Sequence, residues 1–127
     1  MKNTTRARGG TARAAGLTQA EALAAHAGAA ATLLRTLANR HRLQVLCALS
    51  DGELAVGEIN GRVRLSQSAL SQHLAVLRAE GLVATRRAAQ TIYYRMVPGP
   101  ALEVMRVVQG IFCPAPARMS HRRKATA

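Results

Sequence analysis

The chain has 127 residues, of which 49% are hydrophobic and 2% aromatic, and its formal net charge is +12. This length suits one small domain, and the absence of any run of 18 apolar residues excludes a membrane-spanning helix. The N-terminal segment is polar, basic and glycine-rich, so we expect no secretory signal and a cytoplasmic location. A core poor in aromatic residues must use leucine, valine and alanine, which favours closely packed helices.

Most of the positive charge lies near the two ends. Eight of the 18 basic residues fall within residues 1–17 and 115–127, which we interpret as disordered basic tails. The other ten face all six acidic residues, so the domain predicted at residues 18–114 carries only about +4. Basic tails attract polyanions without sequence selectivity, although solvated tails without a function fit the pattern equally well.

Two helices are predicted at the start of this domain. Thr18 and Glu21 have the spacing of a capping box and begin an alanine-rich helix of about 18 residues. Its small residues permit close contact with another helix, within the chain or in a dimer. Asn39 is suited to cap a second helix, which ends at Asp51-Gly52.

A short third helix, Val56 to Val63, precedes the most informative stretch, Leu65 to Val83. Ser66 is a suitable N-cap for a helix there, and Gly81 is suited to end it. The residues at buried helical spacing are Leu70, Leu74 and Leu77, with Ala69, His73 and Val76 beside them. The opposite face carries Gln67, Ser68, Ser71 and Gln72. Neutral hydrogen-bond donors and acceptors suit base edges in a DNA major groove, so together with the preceding short helix this stretch predicts a helix-turn-helix. If this helix is considered without its neighbours, an ordinary amphipathic helix explains the pattern as well.

A β-hairpin is predicted next. The segments LVATRR and TIYYRM flank residues 88–90 and contain β-branched or aromatic residues in partial alternation. Arg86 and Arg87 lie near the tip, and Arg95 lies on the return strand. A hairpin directly after a recognition helix is called a wing, and its arginines are predicted to contact phosphates or the minor groove. The alternative is an exposed hairpin whose arginines are only solvated.

The segment ALEVMRVVQGIFCP predicts a last helix. Its apolar stripe is wider than a small winged-helix core needs, so we expect it to pair with the first helix and with their copies in a second subunit. The fold class predicted is therefore mainly α with a small β-hairpin, a winged helix-turn-helix whose helices 1 and 5 form a dimer interface.

The remaining reactive side chains form no obvious site. Cys47 and Cys113 belong to no Cys-x-x-Cys pair, and from the residues alone small buried packing groups are the simplest interpretation. The four histidines lie on different elements without an i, i+4 pair, so we expect no metal site and no cofactor; they are His26, His41, His73 and His121.

Four segments carry a family resemblance: LANRHRLQVL, VGEI, LSQSALSQHLAVLRAEGLV and TIYYR. With them the chain resembles the ArsR/SmtB family of dimeric winged-helix repressors over residues 18 to 114. The resemblance implies operator binding by a homodimer. The Cys-x-Cys pair of the arsenic sensors is missing, and the last helix offers only Glu103 among the zinc-sensor ligand types, which argues against both metal sites.

One cysteine in the second helix and one at the end of the last helix resemble the sulfide- and persulfide-responsive (BigR/SqrR-like) branch of that family. This resemblance implies a Cys47–Cys113 dithiol that becomes bridged by reactive sulfur, the inducer, and releases DNA. The alternatives are a metal-responsive or constitutive repressor and a sequence-neutral nucleoid-type DNA-binding protein. A thiol oxidoreductase is disfavoured, because no Cys-x-x-Cys pair, catalytic triad or phosphate loop is present, and we predict that the chain is not an enzyme.

Overall fold

The computed structural model describes residues 16–113. The elements in chain order are α1 (Gln19–Leu37), α2 (Arg40–Leu49), β1 (Leu54–Ala55), α3 (Val56–Arg62), α4 (Gln67–Ala79), β2 (Val83–Ala88), β3 (Thr91–Met96) and α5 (Pro100–Phe112). Five helices with a small antiparallel sheet confirm the predicted mainly α class with a β-hairpin. The dimer interface predicted for the first and last helices stays a prediction. The predicted tails lie almost wholly outside the described residues. No helix within the described residues is long and apolar enough to cross a membrane.

Helix α1, up to Arg35, belongs to a compact unit separate from the one that begins at Thr36. The predicted capping box is present: the Thr18 N–H donates to Glu21 Oε1, and the Glu21 N–H donates to Thr18 Oγ1, each over 3.1 Å. Each of the two side chains accepts a hydrogen bond from the main-chain N–H of the other residue. This reciprocal pair fixes where the helix begins. Leu23 and Leu34 are exposed.

The second unit, from Thr36 onward, has its core around α2, which packs against α3, α4, α5 and β3. Asn39 caps α2 as predicted, since its Oδ1 accepts hydrogen bonds from the main-chain N–H groups of His41 and Arg42 at 2.9 and 3.0 Å. The largest fully buried side chains are Val45, Leu46, Ile59, Leu70, Leu74, Leu77 and Met105. The three leucines predicted for the inner face of the recognition helix are all in this set.

The turn between α3 and α4 is held by side-chain hydrogen bonds. Asn60 Nδ2 donates to the Leu65 carbonyl at 2.9 Å, and Ser66 Oγ accepts from the Ala69 N–H at 3.1 Å. At the other end of α4, Gly81 has φ +76°, and the Leu82 N–H reaches the Leu77 carbonyl at 2.9 Å. This is the glycine-terminated end that the sequence predicted.

One detail of the sequence interpretation was wrong, and one short strand was not predicted. Val76 does not share the buried face of α4 but is 39% exposed. The sheet has three strands, in the order β1-β3-β2, where only the β2–β3 hairpin was predicted. Leu54 and Ala55 pair with Tyr94 and Tyr93, and two residues are too short a segment to show strand alternation.

Helix α5 begins at Pro100, a favoured first helical residue, and ends before Cys113. Only Ala101 and Met105 are buried in it, whereas Val107, Ile111 and Phe112 are 62%, 66% and 76% exposed. Its apolar stripe is therefore wider than the core of one chain covers.

Basic and imidazole groups meet where α2 contacts α4. The His41 and His73 ring centroids are 5.8 Å apart, and Arg42 Nη1 lies 3.5 Å from His73 Nδ1. Arg42 is also anchored, because its Nε donates to the Thr36 carbonyl at 2.6 Å. Burial, the Arg42 guanidinium and His41 lower the pKa of His73 below its usual 6.5.

This contact predicts an acid-sensitive recognition helix. Because the pKa of His73 is lower in the folded chain, the unfolded chain binds the proton more readily, so stability falls as the pH drops through 6.5. We expect His73→Gln to flatten this loss in urea denaturation between about pH 7.5 and 5. His26→Gln, at an exposed position of α1, is the matched control. Equal pH slopes in wild type and His73→Gln would contradict the prediction.

Candidate DNA-binding surface and thiol site

The first turns of α4 present a neutral polar surface. The four side chains predicted to contact bases are all exposed; they are Gln67, Ser68, Ser71 and Gln72. The N-terminal end of a helix carries a partial positive charge, and no acidic residue lies in the first turn of α4 to oppose an approaching phosphate. The arrangement thus combines hydrogen-bonding groups with an end that favours anions.

An open groove of about 440 Å³ continues this surface towards the hairpin. Ser71, Arg78 and Tyr94 are among the residues that line it. Arg78 and Tyr94 were not predicted as members of this surface, because only the fold brings the last turn of α4 next to β3. Arg78 is exposed and adds positive charge beside the predicted base-contacting residues.

Arg86 forms an ion pair within the chain. Its Nε and Nη2 donate to the carboxylate of Glu53 over 2.8–2.9 Å, and its guanidinium lies 4.7 Å from the ring centroid of Tyr93. The hydrogen bond from Arg86 holds the pKa of Glu53 below its usual value, and Glu53 raises that of Arg86. Glu53 was not among the predicted site residues, because it precedes β1 and meets the hairpin only through the sheet.

Arg87 and Arg95 differ in their surroundings. Arg87 is exposed, pairs with Ile92 across the hairpin, and makes no ion pair with any residue in the described range. Arg95 pairs with Ala84 and lines a cleft of about 410 Å³ together with Asp51 and Glu53. Of the three arginines assigned to the wing, Arg87 is thus the one nearest the tip and unengaged, whereas Arg95 lies beside two acidic residues.

The two cysteines are free thiols on adjoining helices. Cys47 is half-buried in the last turn of α2, and Cys113 is the exposed C-cap residue of α5. Gln109, one helical turn before Cys113, reaches the other cysteine: its Nε2 lies 3.3 Å from Cys47 Sγ. Its signal in the sequence was a glutamine inside the apolar segment VVQGIF, and this residue was not among the predicted site residues.

A metal site is not formed by the described residues, in which no three His, Cys, Asp or Glu side chains cluster. His41 and His73 contact each other, whereas His26 is exposed on α1. His121 lies outside the described range.

Comparison with known proteins identifies the family. Residues 39–85 match the model of the bacterial regulatory proteins of the arsR family. The transcriptional activator HlyU of Vibrio cholerae is 49% identical over 86 residues, 68% of this chain and 80% of that protein. The biofilm growth-associated repressor of Agrobacterium fabrum is 43% identical over 83 residues, 65% of this chain and 71% of that protein.

The fold agrees with this match. The crystal structure of the transcriptional repressor BigR from Xylella fastidiosa superposes with a TM-score of 0.71 at 37% identity, covering 76% of this chain and 99% of that one. These relatives are transcriptional regulators and not enzymes. The chain therefore belongs to the arsR family of bacterial regulatory proteins and is a DNA-binding transcriptional regulator with a winged helix-turn-helix fold.

Proposed function

We propose that the chain is a homodimeric repressor that leaves its operator when reactive sulfur bridges Cys47 and Cys113. The observation that carries this proposal is the contact of α2 with α5 through Gln109, which brings the helices of both cysteines together. The biofilm growth-associated repressors among the relatives support the repressor assignment.

The exposed apolar side chains of α5 support the homodimer. Val107, Ile111 and Phe112 lie within six residues of one another and are more than half exposed. Leaving three such groups in water forfeits about 1.5–3 kcal/mol for each side chain that an interface would bury. A second copy of the chain offers the same surface and closes it by two-fold symmetry.

On DNA, the polar turns of α4 enter the major groove and contact bases through Gln67, Ser68, Ser71 and Gln72. Arg87 at the hairpin contacts the backbone or the minor groove. Arg86 and Arg95 take part only after exchanging their acidic neighbours for phosphate, because Glu53 and Asp51 lie beside them.

The proposed switch is a two-electron oxidation of the dithiol by a persulfide, R–S–S–H. The thiolate of one cysteine attacks the outer sulfur, a new S–S bond forms, and R–S⁻ leaves. Attack of the second thiolate on the cysteine sulfur of the first then expels hydrosulfide and leaves a disulfide. When both cysteines carry an extra sulfur, the same attack leaves a trisulfide, which tolerates a wider spacing of the two cysteine Cα atoms than a disulfide does.

Base contacts and phosphate contacts are expected to differ in their selectivity. With an operator selected from random-sequence DNA, we expect Gln72→Ala to weaken operator binding about 5- to 150-fold, as the loss of a bidentate base contact does. Its binding to random DNA should stay unchanged. We expect Arg87→Ala to weaken binding to the operator and to random DNA alike. It should also lower by about one the slope of the logarithm of the binding constant against the logarithm of the salt concentration.

Arg86→Ala is the matched control for Arg87→Ala and should change the salt slope less, since Arg86 is paired with Glu53. Equal losses on operator and random DNA for Gln72→Ala would contradict base reading and favour a sequence-neutral DNA-binding protein.

The α5 surface predicts the oligomeric state. Ile111→Asp should weaken dimerisation by about tenfold or more in sedimentation experiments, because it places a charge in the apolar interface. Ile92→Asp changes an exposed isoleucine of the hairpin and should leave the dimer intact. A wild-type chain that stays monomeric at micromolar concentration would refute the dimer.

The thiol switch predicts a selective loss of induction. Cys47→Ser and Cys113→Ser should each bind the operator within about twofold of wild type, because neither cysteine lies on the DNA-contacting turns of α4. Both should fail to release DNA on treatment with a persulfide donor, and mass spectrometry should find the intramolecular bridge only in wild type. Persulfide release that persists in both variants, or release by zinc or copper instead, would refute the proposal.

A further inference from the structure

A polar cluster of three residues lies at the otherwise apolar contact of α2 with α5. Gln109 Nε2 lies 3.3 Å from Cys47 Sγ and 3.0 Å from Ser50 Oγ. Ser50 Oγ in turn donates to the Cys47 carbonyl at 2.7 Å. All three side chains are half-buried, so these contacts are partly shielded from water.

The hydrogen-bond pattern fixes which end of the Gln109 amide faces the thiol. A carbonyl oxygen only accepts, so the single hydroxyl proton of Ser50 is used on the Cys47 carbonyl. Ser50 Oγ is then an acceptor towards Gln109, and the group that Gln109 presents must be its NH₂. One N–H goes to Ser50, and the second remains for Cys47 Sγ.

The position of Cys47 explains how this N–H donor acts electrostatically. Cys47 lies in the last turn of α2, where the aligned peptide dipoles end in a partial negative charge. No basic residue lies in that turn to compensate. Negative charge near the C-terminal end of a helix is stabilised by a facing hydrogen-bond donor, and among the described residues the Gln109 amide faces Cys47 Sγ.

We propose that Gln109, oriented by Ser50, stabilises the thiolate of Cys47 and thereby makes Cys47 the thiol that attacks the sulfur donor first. This inference rests on the proposed thiol switch. In the attack, the Cys47 thiolate bonds to the outer persulfide sulfur as R–S⁻ leaves, and Cys113 resolves the product. Cys113 lies one helical turn after Gln109, and its main-chain N–H donates to the Gln109 carbonyl in the last turn of α5.

A donor acts on the attack in two opposing ways. It increases the fraction of Cys47 present as thiolate, but it makes each thiolate a weaker nucleophile. The nucleophilicity changes by only about 0.4–0.5 of the logarithmic change in basicity. The gain in thiolate therefore dominates wherever the thiol is mostly protonated.

The test follows alkylation of Cys47 by iodoacetamide in the full chain carrying Cys113→Ser, in which Cys47 is the one remaining cysteine. The rate is measured from about pH 6 to 10 for the parent, Gln109→Leu, Gln109→Glu and Ser50→Ala. Gln109→Leu removes the donor at similar volume, and Gln109→Glu replaces it with an acceptor. Gln90→Leu, in the exposed hairpin turn, is the matched control.

We expect Gln109→Leu to slow alkylation at neutral pH by about three- to tenfold and to move the rise of the pH–rate profile to higher pH. Gln109→Glu should slow it further, Ser50→Ala should have a smaller effect of the same sign, and Gln90→Leu should have none. Thermal melting measured in parallel reports folding. Unchanged pH–rate profiles in both Gln109 variants would overturn the proposal, whatever their melting temperatures.

This readout is independent of DNA release. If the Gln109 variants shift the profile but wild type is not released by persulfide, the thiolate stabilisation holds and the proposed switch fails. If wild type is released and the profiles are unchanged, the switch holds and the role of Gln109 fails.

Discussion

Helix α2 buries Val45, Leu46 and Leu49 against the helix-turn-helix, the sheet and α5, and the other elements of its unit are placed by this contact. Burial of one such side chain is worth about 1.5–3 kcal/mol, so the three together approach the net stability of a small domain. With 2% aromatic residues, the chain has few larger groups to replace them. The recognition helix and the cysteine-bearing end of α5 therefore share one support.

The charges of the wing are set by the fold and not by the hairpin alone. Arg86, Arg87 and Arg95 are equivalent in the sequence, yet strand pairing puts Arg86 and Arg95 on the face that meets Glu53 and Arg87 on the other. Phosphate must compete with a bidentate carboxylate for Arg86, whereas Arg87 meets no such competitor among the described residues. The pairing with Glu53 ties the hairpin to the residue before β1 and neutralises one of the positive charges of the wing.

The sequence predicted the elements with local signals and missed the contacts that depend on topology. Thr18, Asn39, Ser66 and Gly81 marked helix ends correctly, because a cap is a property of three or four neighbouring residues. The contacts Glu53–Arg86 and Cys47–Gln109 join residues 33 and 62 positions apart, and no spacing rule reaches that far. The apolar stripe of α5 was visible in the sequence, and its excess over the core of one chain is what the exposed Val107, Ile111 and Phe112 show.

The two ends of α2 have different contacts, and this gives the proposed switch a physical route to DNA. Near its start, Arg42 touches His73 of the recognition helix, and near its end Cys47 touches Gln109 of α5. A ten-residue helix is about 15 Å long and moves as a rigid rod. In the proposed switch, a covalent bridge between Cys47 and Cys113 would restrain one end of the rod against α5, and a change in its tilt would reach α4 at the other end. In the proposed dimer joined through α5, the same tilt would change the spacing of the two recognition helices, which must match one DNA turn of about 34 Å.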